Sequence, residues 1–243
     1  MSTQLATNVH EGVHLNFSKN CYLVCGNYEY YHYLCDGFDD RGWGCGYRTL
    51  QTICSWMKLN VNNSVEVPSI RDVQNILVEM QDKPQSFLNS RQWIGSFEVC
   101  LVIDKLFDVP SKILHVNKGD NLENIIDNLK NHFEKFGSPI MMGGDVDCSS
   151  KGIMGVHVNG VESSLLVVDP HYVGKEPSND FLQNKGWVKW QPIKEFMSRL
   201  LVRSSGCSAP WSRDQIRTQD PLPWRRGETT SCRLEFVMCS DKF

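Results

Sequence analysis

Two short runs in this chain hold side chains of the types and spacing that covalent chemistry needs. The first is Gly42-Trp43-Gly44-Cys45-Gly46. A thiol attacks as its thiolate, so a nucleophilic cysteine needs surroundings that lower its pKa. A helix N-terminus supplies about half a positive elementary charge, and the flanking glycines let backbone and substrate approach closely. Cys45 can equally be read as a small buried residue at the start of a helix. The second run is Asp169-Pro170-His171. In an extended chain residues i and i+2 point to one face, so Asp169 would lie beside His171, orient the imidazole and favour its charged form. A base held this way could take the proton of Cys45. A turn aspartate beside a solvated histidine fits the same three residues. His10, His14, His32, His115, His132 and His157 have no comparable neighbours.

The elements that must position these groups follow from periodicity. Leu50, Ile53, Cys54 and Met57 recur at i, i+3, i+4 and i+7, which predicts a buried helical stripe and puts Cys45 where a glycine-rich turn enters a helix. Ser69 is expected to cap a helix with the face Ile70, Val73, Leu77 and Met80. Asn89 or Ser90 is expected to cap one running from Trp93 through Ile94, Phe97, Cys100 and Leu101 to Asp104. Asp120 is expected to cap one bearing Leu122, Ile125, Ile126, Leu129, Phe133 and Phe136 and ended by Gly137. The stretch Tyr22 to Tyr33 alternates as a strand or hairpin does. Ile113 to Val116, Pro139 to Met142 and Trp187 to Trp190 read as short strands, the second running into Gly143-Gly144. Ile153 to Val158 and Ser164 to Val168 flank Asn159-Gly160, a type I′ hairpin signal, and a helix is expected over Pro192 to Leu201.

Composition bounds the function. The 243 residues suit one domain with an appendage, with 41% apolar and 22% charged residues as in ordinary globular chains. The net charge of -3 argues against a nucleic-acid partner. Mean hydropathy is -0.34, and no apolar run is long enough for a membrane span, so none is expected. Residues 1–20 lack the basic and apolar regions of a secretory signal and read as a flexible N-terminus. Ten cysteines without a C-x-x-C pair suit reduced thiols in a cytoplasmic protein. No metal and no cofactor are expected.

Tyr31-His32-Tyr33, the block Asp39-Asp40-Arg41-Gly42-Trp43-Gly44-Cys45-Gly46-Tyr47-Arg48-Thr49-Leu50-Gln51-Thr52, then Ser90-Arg91-Gln92-Trp93-Ile94-Gly95, and finally Asp169-Pro170-His171-Tyr172 together resemble the ubiquitin-fold-modifier-specific cysteine proteases. The short member of that family is the closer match in size, and the resemblance covers roughly residues 20 to 196. It implies an α+β, papain-like cysteine protease fold, N-terminal helices packed on a mainly antiparallel central sheet. It also implies Cys45 as nucleophile, Asp169 as orienting carboxylate and His171 as base. A family tyrosine twelve positions before the cysteine, here Tyr33, is implied as an oxyanion donor. The implied substrate is ubiquitin-fold modifier 1, as precursor and conjugate, cleaved after a Val-Gly tail by a monomer. Such a tail needs a narrow channel, for which Trp43, Gly44, Gly143 and Gly144 are the candidate walls.

The resemblance ends at Phe196. The protease domain is assigned to residues 21–202. Before residue 203 the chain holds 13 Lys and 5 Arg; from 203 to 243 it holds 1 Lys and 6 Arg, with Pro210, Pro221 and Pro223 and no apolar period until Leu234. Residues 203–243 are therefore expected to be mostly disordered and removable without loss of activity, with Leu234 to Met238 at most docking weakly in place of a family strand that the sequence lacks. Two other functions are weighed: a protease of the autophagy-modifier type, and a non-catalytic modifier binder with an altered C-terminus.

Overall fold

Helix α1 (Cys45–Asn60) forms where its apolar stripe predicts it, and Leu50, Ile53, Cys54 and Met57 are buried. The computed structural model describes residues 4–13, 19–117, 120–144, 149–160, 162–196 and 233–239. Helix α2 (Ile70–Glu79) opens on a capping box: Ser69 Oγ accepts the Asp72 N–H at 3.2 Å and Asp72 Oδ2 accepts the Ser69 N–H at 2.9 Å. Helix α3 (Ser96–Phe107) starts later than expected. Gly95 is extended, with φ −108° and ψ −168°, and donates its N–H to Glu98 Oε2 at 2.8 Å. Trp93 and Ile94 therefore precede the helix. Asn121, not Asp120, caps helix α4 (Leu122–Lys135), accepting the Glu123 N–H at 2.8 Å, while Asp120 accepts the Asn117 N–H at 2.7 Å. Gly137 follows that helix at φ 63°, a left-handed position that favours glycine. A short helix α5 (Asn179–Asn184) comes later.

Among the described residues seven strands make one antiparallel sheet: β1 (Cys21–Leu23), β2 (Ser111–Asn117), β3 (Ile140–Gly144), β4 (Lys151–His157), β5 (Ser164–Val168), β6 (Val188–Pro192) and β7 (Arg233–Cys239). Their order is β2-β7-β3-β4-β5-β6, and β1 pairs with the second half of β4. Helix α1 packs on β3 and β4, and α3 packs on β2 and β7. Strands β4 and β5 do form a hairpin, but residues 158–163 join them. A type I′ turn needs positive φ at both central residues; Gly160 has it and Asn159 does not. Ser163 Oγ instead accepts the Asn159 N–H and donates to the Gly160 carbonyl.

Two terminal expectations are corrected. Residues 4–13 pack on the tyrosine-rich segment: Val9 is fully buried, Asn8 N–H donates to the Tyr28 carbonyl at 3.0 Å, and Tyr30 N–H donates to the Ala6 carbonyl at 2.8 Å. The second correction is larger. Residues 203–232 and 240–243 lie outside the described residues, as does the end of the helix expected over 192–201. Strand β7, however, sits inside the sheet. It pairs with β2 over Ser111↔Cys239 to Asn117↔Arg233 and with β3 over Met141↔Val237 to Gly144↔Leu234. Leu234, Phe236, Val237, Met238 and Cys239 are all buried, as a strand with partners on both edges and cover on both faces requires. Without β7, strand β2 would have no partner in the sheet, so this part of the tail is structural and the sheet lacks no strand there.

Among the described residues no helix is long and apolar enough to cross a membrane, and no group of three or more His, Cys, Asp or Glu is arranged to hold a metal ion.

Candidate active site

Cys45 occupies the first position of α1. Among the described residues no side chain caps this helix and no acidic residue sits in its first turn. The thiol therefore sits at the positive end of the helix, with no carboxylate of the helix's own first turn beside it. The glycines beside it are dictated by packing. A Cβ on Gly44 would stand 2.2 Å from Asp40 Oδ2, and one on Gly46 would stand 2.7 Å from the Ile94 carbonyl oxygen.

Asp169 and His171 meet as their spacing suggests, but through a turn just beyond β5 and not through strand alternation. Asp169 Oδ1 accepts both the His171 backbone N–H at 3.0 Å and His171 Nδ1 at 2.5 Å, an aspartate-closed turn. Lys151 Nζ lies 3.2 Å from Asp169 Oδ2, and Tyr30 Oη donates to the Asp169 carbonyl at 2.5 Å. With Nδ1 engaged by Asp169, Nε2 is left for Cys45, and the thiol and the ring interact. Burial opposes charge on all three groups, and their mutual contacts outweigh it. Asp169 falls to about 2 through His171 and Lys151. His171 rises to about 9 through Asp169 and Cys45. The Cys45 thiol drops below its ordinary value through His171, a hydrogen bond from the Ser150 backbone and Tyr33. The arrangement shifts Cys45 toward the thiolate and His171 toward the imidazolium.

Tyr33 is held on three sides. Its N–H donates to the Pro170 carbonyl at 3.0 Å, its carbonyl bonds His32 Nδ1 at 2.9 Å, and its ring meets that of His171 edge-on at 5.1 Å. The hydroxyl lies beside Cys45. Burial, then the neighbouring Cys45, pushes its pKa upward, so it keeps its proton and stays a donor.

A cleft of about 260 Å³ opens at Cys45. Trp43 and Gly143 line it, as expected of channel walls. Gly44 packs against Asp40 instead, and Gly144 pairs with Leu234; neither is among the described lining residues. A Cβ on Gly143 would meet nothing closer than 3.6 Å, so packing alone does not demand glycine there. Trp93, Ser96, Ser150 and Glu235 also line the cleft and were not foreseen. The apolar period puts Trp93 inside a helix, and the tail's composition detaches Glu235 from the domain. Lys151 was legible in principle: Gly152 pairs with Val168, which puts Lys151 across from Asp169.

The model of peptidase family C78 matches residues 19–202. "Ufm1-specific protease 1" of Mus musculus is 42% identical over 189 residues, covering 75% of this chain and 86% of that protein. "Ufm1-specific protease 2" of Homo sapiens is 45% identical over 172 residues, covering 70% of this chain and 36% of its own length. The crystal structure of UfSP from C. elegans superposes with a TM-score of 0.71 at 30% identity, covering 98% of this chain and 38% of that one. The chain thus spans most of the shorter relative and little more than a third of the longer ones.

Proposed function

The chain belongs to peptidase family C78 and has the papain-like fold of a cysteine protease, and from that premise we propose that it cleaves ubiquitin-fold modifier 1 after a C-terminal Val-Gly, maturing the precursor or releasing the modifier from conjugates. One observation carries the reading: Cys45 stands at a helix N-terminus, with the imidazole of His171, itself hydrogen-bonded to Asp169, and the Tyr33 hydroxyl beside its thiol.

In this reading Cys45 Sγ attacks the glycine carbonyl carbon as thiolate. The electron pair of the C=O bond moves to oxygen, and the Tyr33 hydroxyl and the Cys45 backbone N–H stabilise that oxyanion. His171 Nε2 gives its proton to the leaving amine as the C–N bond breaks, leaving a thioester. His171 then takes a proton from water, which attacks the thioester, and the free carboxylate leaves. Asp169 stays ionised throughout and keeps His171 oriented. The cleft beside Cys45, with Trp43 and Gly143 in its walls, suits a tail whose last residue is glycine. Strand β7 weakens the motive for a non-catalytic reading, because it fills the place between β2 and β3 in the sheet. Among the described residues no cysteine is in a disulfide, which supports a reducing, cytoplasmic setting.

The test is to incubate the chain with the modifier extended by a few residues beyond Val-Gly. Cleavage at that bond is expected, and Cys45→Ser should abolish it while binding persists. Cleavage by Cys45→Ser within about tenfold of the wild-type rate would remove Cys45 from the nucleophile role.

A further inference from the structure

The segment carrying Tyr33 has no regular structure of its own beyond one bridge to Val173, yet the oxyanion role demands that its hydroxyl be fixed to within a fraction of an ångström. Leu34, the next residue, stands at φ 60°, a left-handed conformation that residues with side chains rarely adopt. Its N–H donates to Asp40 Oδ1 at 2.9 Å. The other oxygen of that carboxylate, Oδ2, accepts from Arg48 Nε at 2.8 Å, and both side chains are fully buried. Arg48 in turn bonds Asp36 through Nη1 and Nη2, at 2.9 and 2.8 Å, and Gln51 Oε1 at 3.1 Å. The Asp40 carbonyl accepts the N–H groups of Trp43 and Gly44 at the mouth of α1. Asp40 thus touches both the turn after Tyr33 and the turn before Cys45, and Arg48 projects from the same helix as the thiol.

We propose that Asp40, held by Arg48, is a positioning residue for the oxyanion site: it clamps the Leu34 N–H and so sets the Tyr33 hydroxyl against the helix that carries Cys45. This rests on the protease reading above and adds the part that holds its donor in place. Asp40 touches no reacting atom.

Asp40→Ala alone leaves the buried Arg48 Nε without its acceptor and removes one of the guanidinium's two carboxylate partners, which weakens the fold as a whole. The test therefore compares two double variants that both lack the buried ion pair, Asp40→Ala with Arg48→Met and Asp40→Asn with Arg48→Met. Only the second keeps an oxygen for the Leu34 N–H. The first should lose about 10²-fold in kcat with KM nearly unchanged, the order that an ångström of misplacement costs. The second should recover to within about tenfold of wild type. Alkylation of Cys45 by iodoacetamide, which forms no oxyanion, should proceed equally in both, and adding Tyr33→Phe to the alanine variant should cost little more. Equal kcat in the two double variants, or an alkylation rate that falls with kcat, would overturn the inference and make Asp40 a general scaffold residue. A wild-type chain that cuts no modifier tail would overturn the protease reading and this inference with it.

Discussion

Two carboxylate–cation clusters flank Cys45, and they differ in their access to water. In the first, Arg48 and Asp40 have no exposed side-chain surface, and only Asp36 reaches the margin. In the second, Lys151, Asp169 and His171 keep 16%, 21% and 29% of theirs. The dry cluster fixes a turn and changes protonation at no step, so full burial serves it: the charges are strongly coupled and cannot wander. In the proposed reaction the wetter cluster accepts, holds and releases a proton, and admits a leaving amine and then a water. Charge used for geometry is sealed in, and charge used for chemistry is left within reach of solvent.

The comparison breaks most visibly at Asp169. Asp169→Asn keeps the shape and removes the charge that raises His171, so kcat should fall by about 10⁴. The alkaline limb of the kcat/KM profile follows loss of the imidazolium proton, near about 9 in the native chain. Without the carboxylate that limb should move to lower pH, and a profile that stays put would contradict the assignment. Arg48→Ala should behave in the opposite way. It leaves Asp40 buried and unpaired at a cost of about 3–5 kcal/mol in stability, measured by denaturant unfolding, while the pH limbs of the remaining activity stay in place. Tyr33→Phe, which removes one hydroxyl between the two clusters, should cost about 10²–10³ in kcat with KM nearly kept. The smallest effect is expected at Lys151→Met, below about tenfold. Its sign is informative: with the cation gone from Asp169 Oδ2, His171 feels more of the carboxylate, and the alkaline limb should move up in pH, opposite to Asp169→Asn.

These clusters also differ in how far the residue order reveals them. The candidate catalytic groups are legible because the chemistry proposed for them leaves local marks: a cysteine between glycines at a helix start, and an aspartate two residues from a histidine. Even there the mechanism of contact differed, since Asp169 reaches His171 by closing a turn on its N–H. The dry cluster sits in plain view, with Asp36, Asp40 and Arg48 inside or beside the same motif, but nothing in their spacing says that an arginine is wholly buried. That fact depends on the loop folding back over α1. Strand β7 was misjudged for a related reason. Its apolar run is short and follows an arginine- and proline-rich stretch, so the local composition outweighed it. Its stability comes from β2 and β3, two strands distant in sequence that leave a gap of one strand's width between them. Helix α3 starts at Ser96 because residues 90–95, ending on the extended Gly95, stay non-helical although the apolar period runs on through them.

The central claim is that Cys45, activated by His171 and Asp169, forms the covalent bond to the modifier tail. The most direct measurement is to incubate the chain with ubiquitin-fold modifier 1 whose terminal glycine carboxylate is replaced by an electrophile, and to map the adduct by mass spectrometry. One modifier per chain, attached at Cys45 and absent from Cys45→Ser and strongly slowed in His171→Ala, is the expected result. A bound modifier that leaves Cys45 unlabelled, or an adduct on another cysteine, would contradict the account.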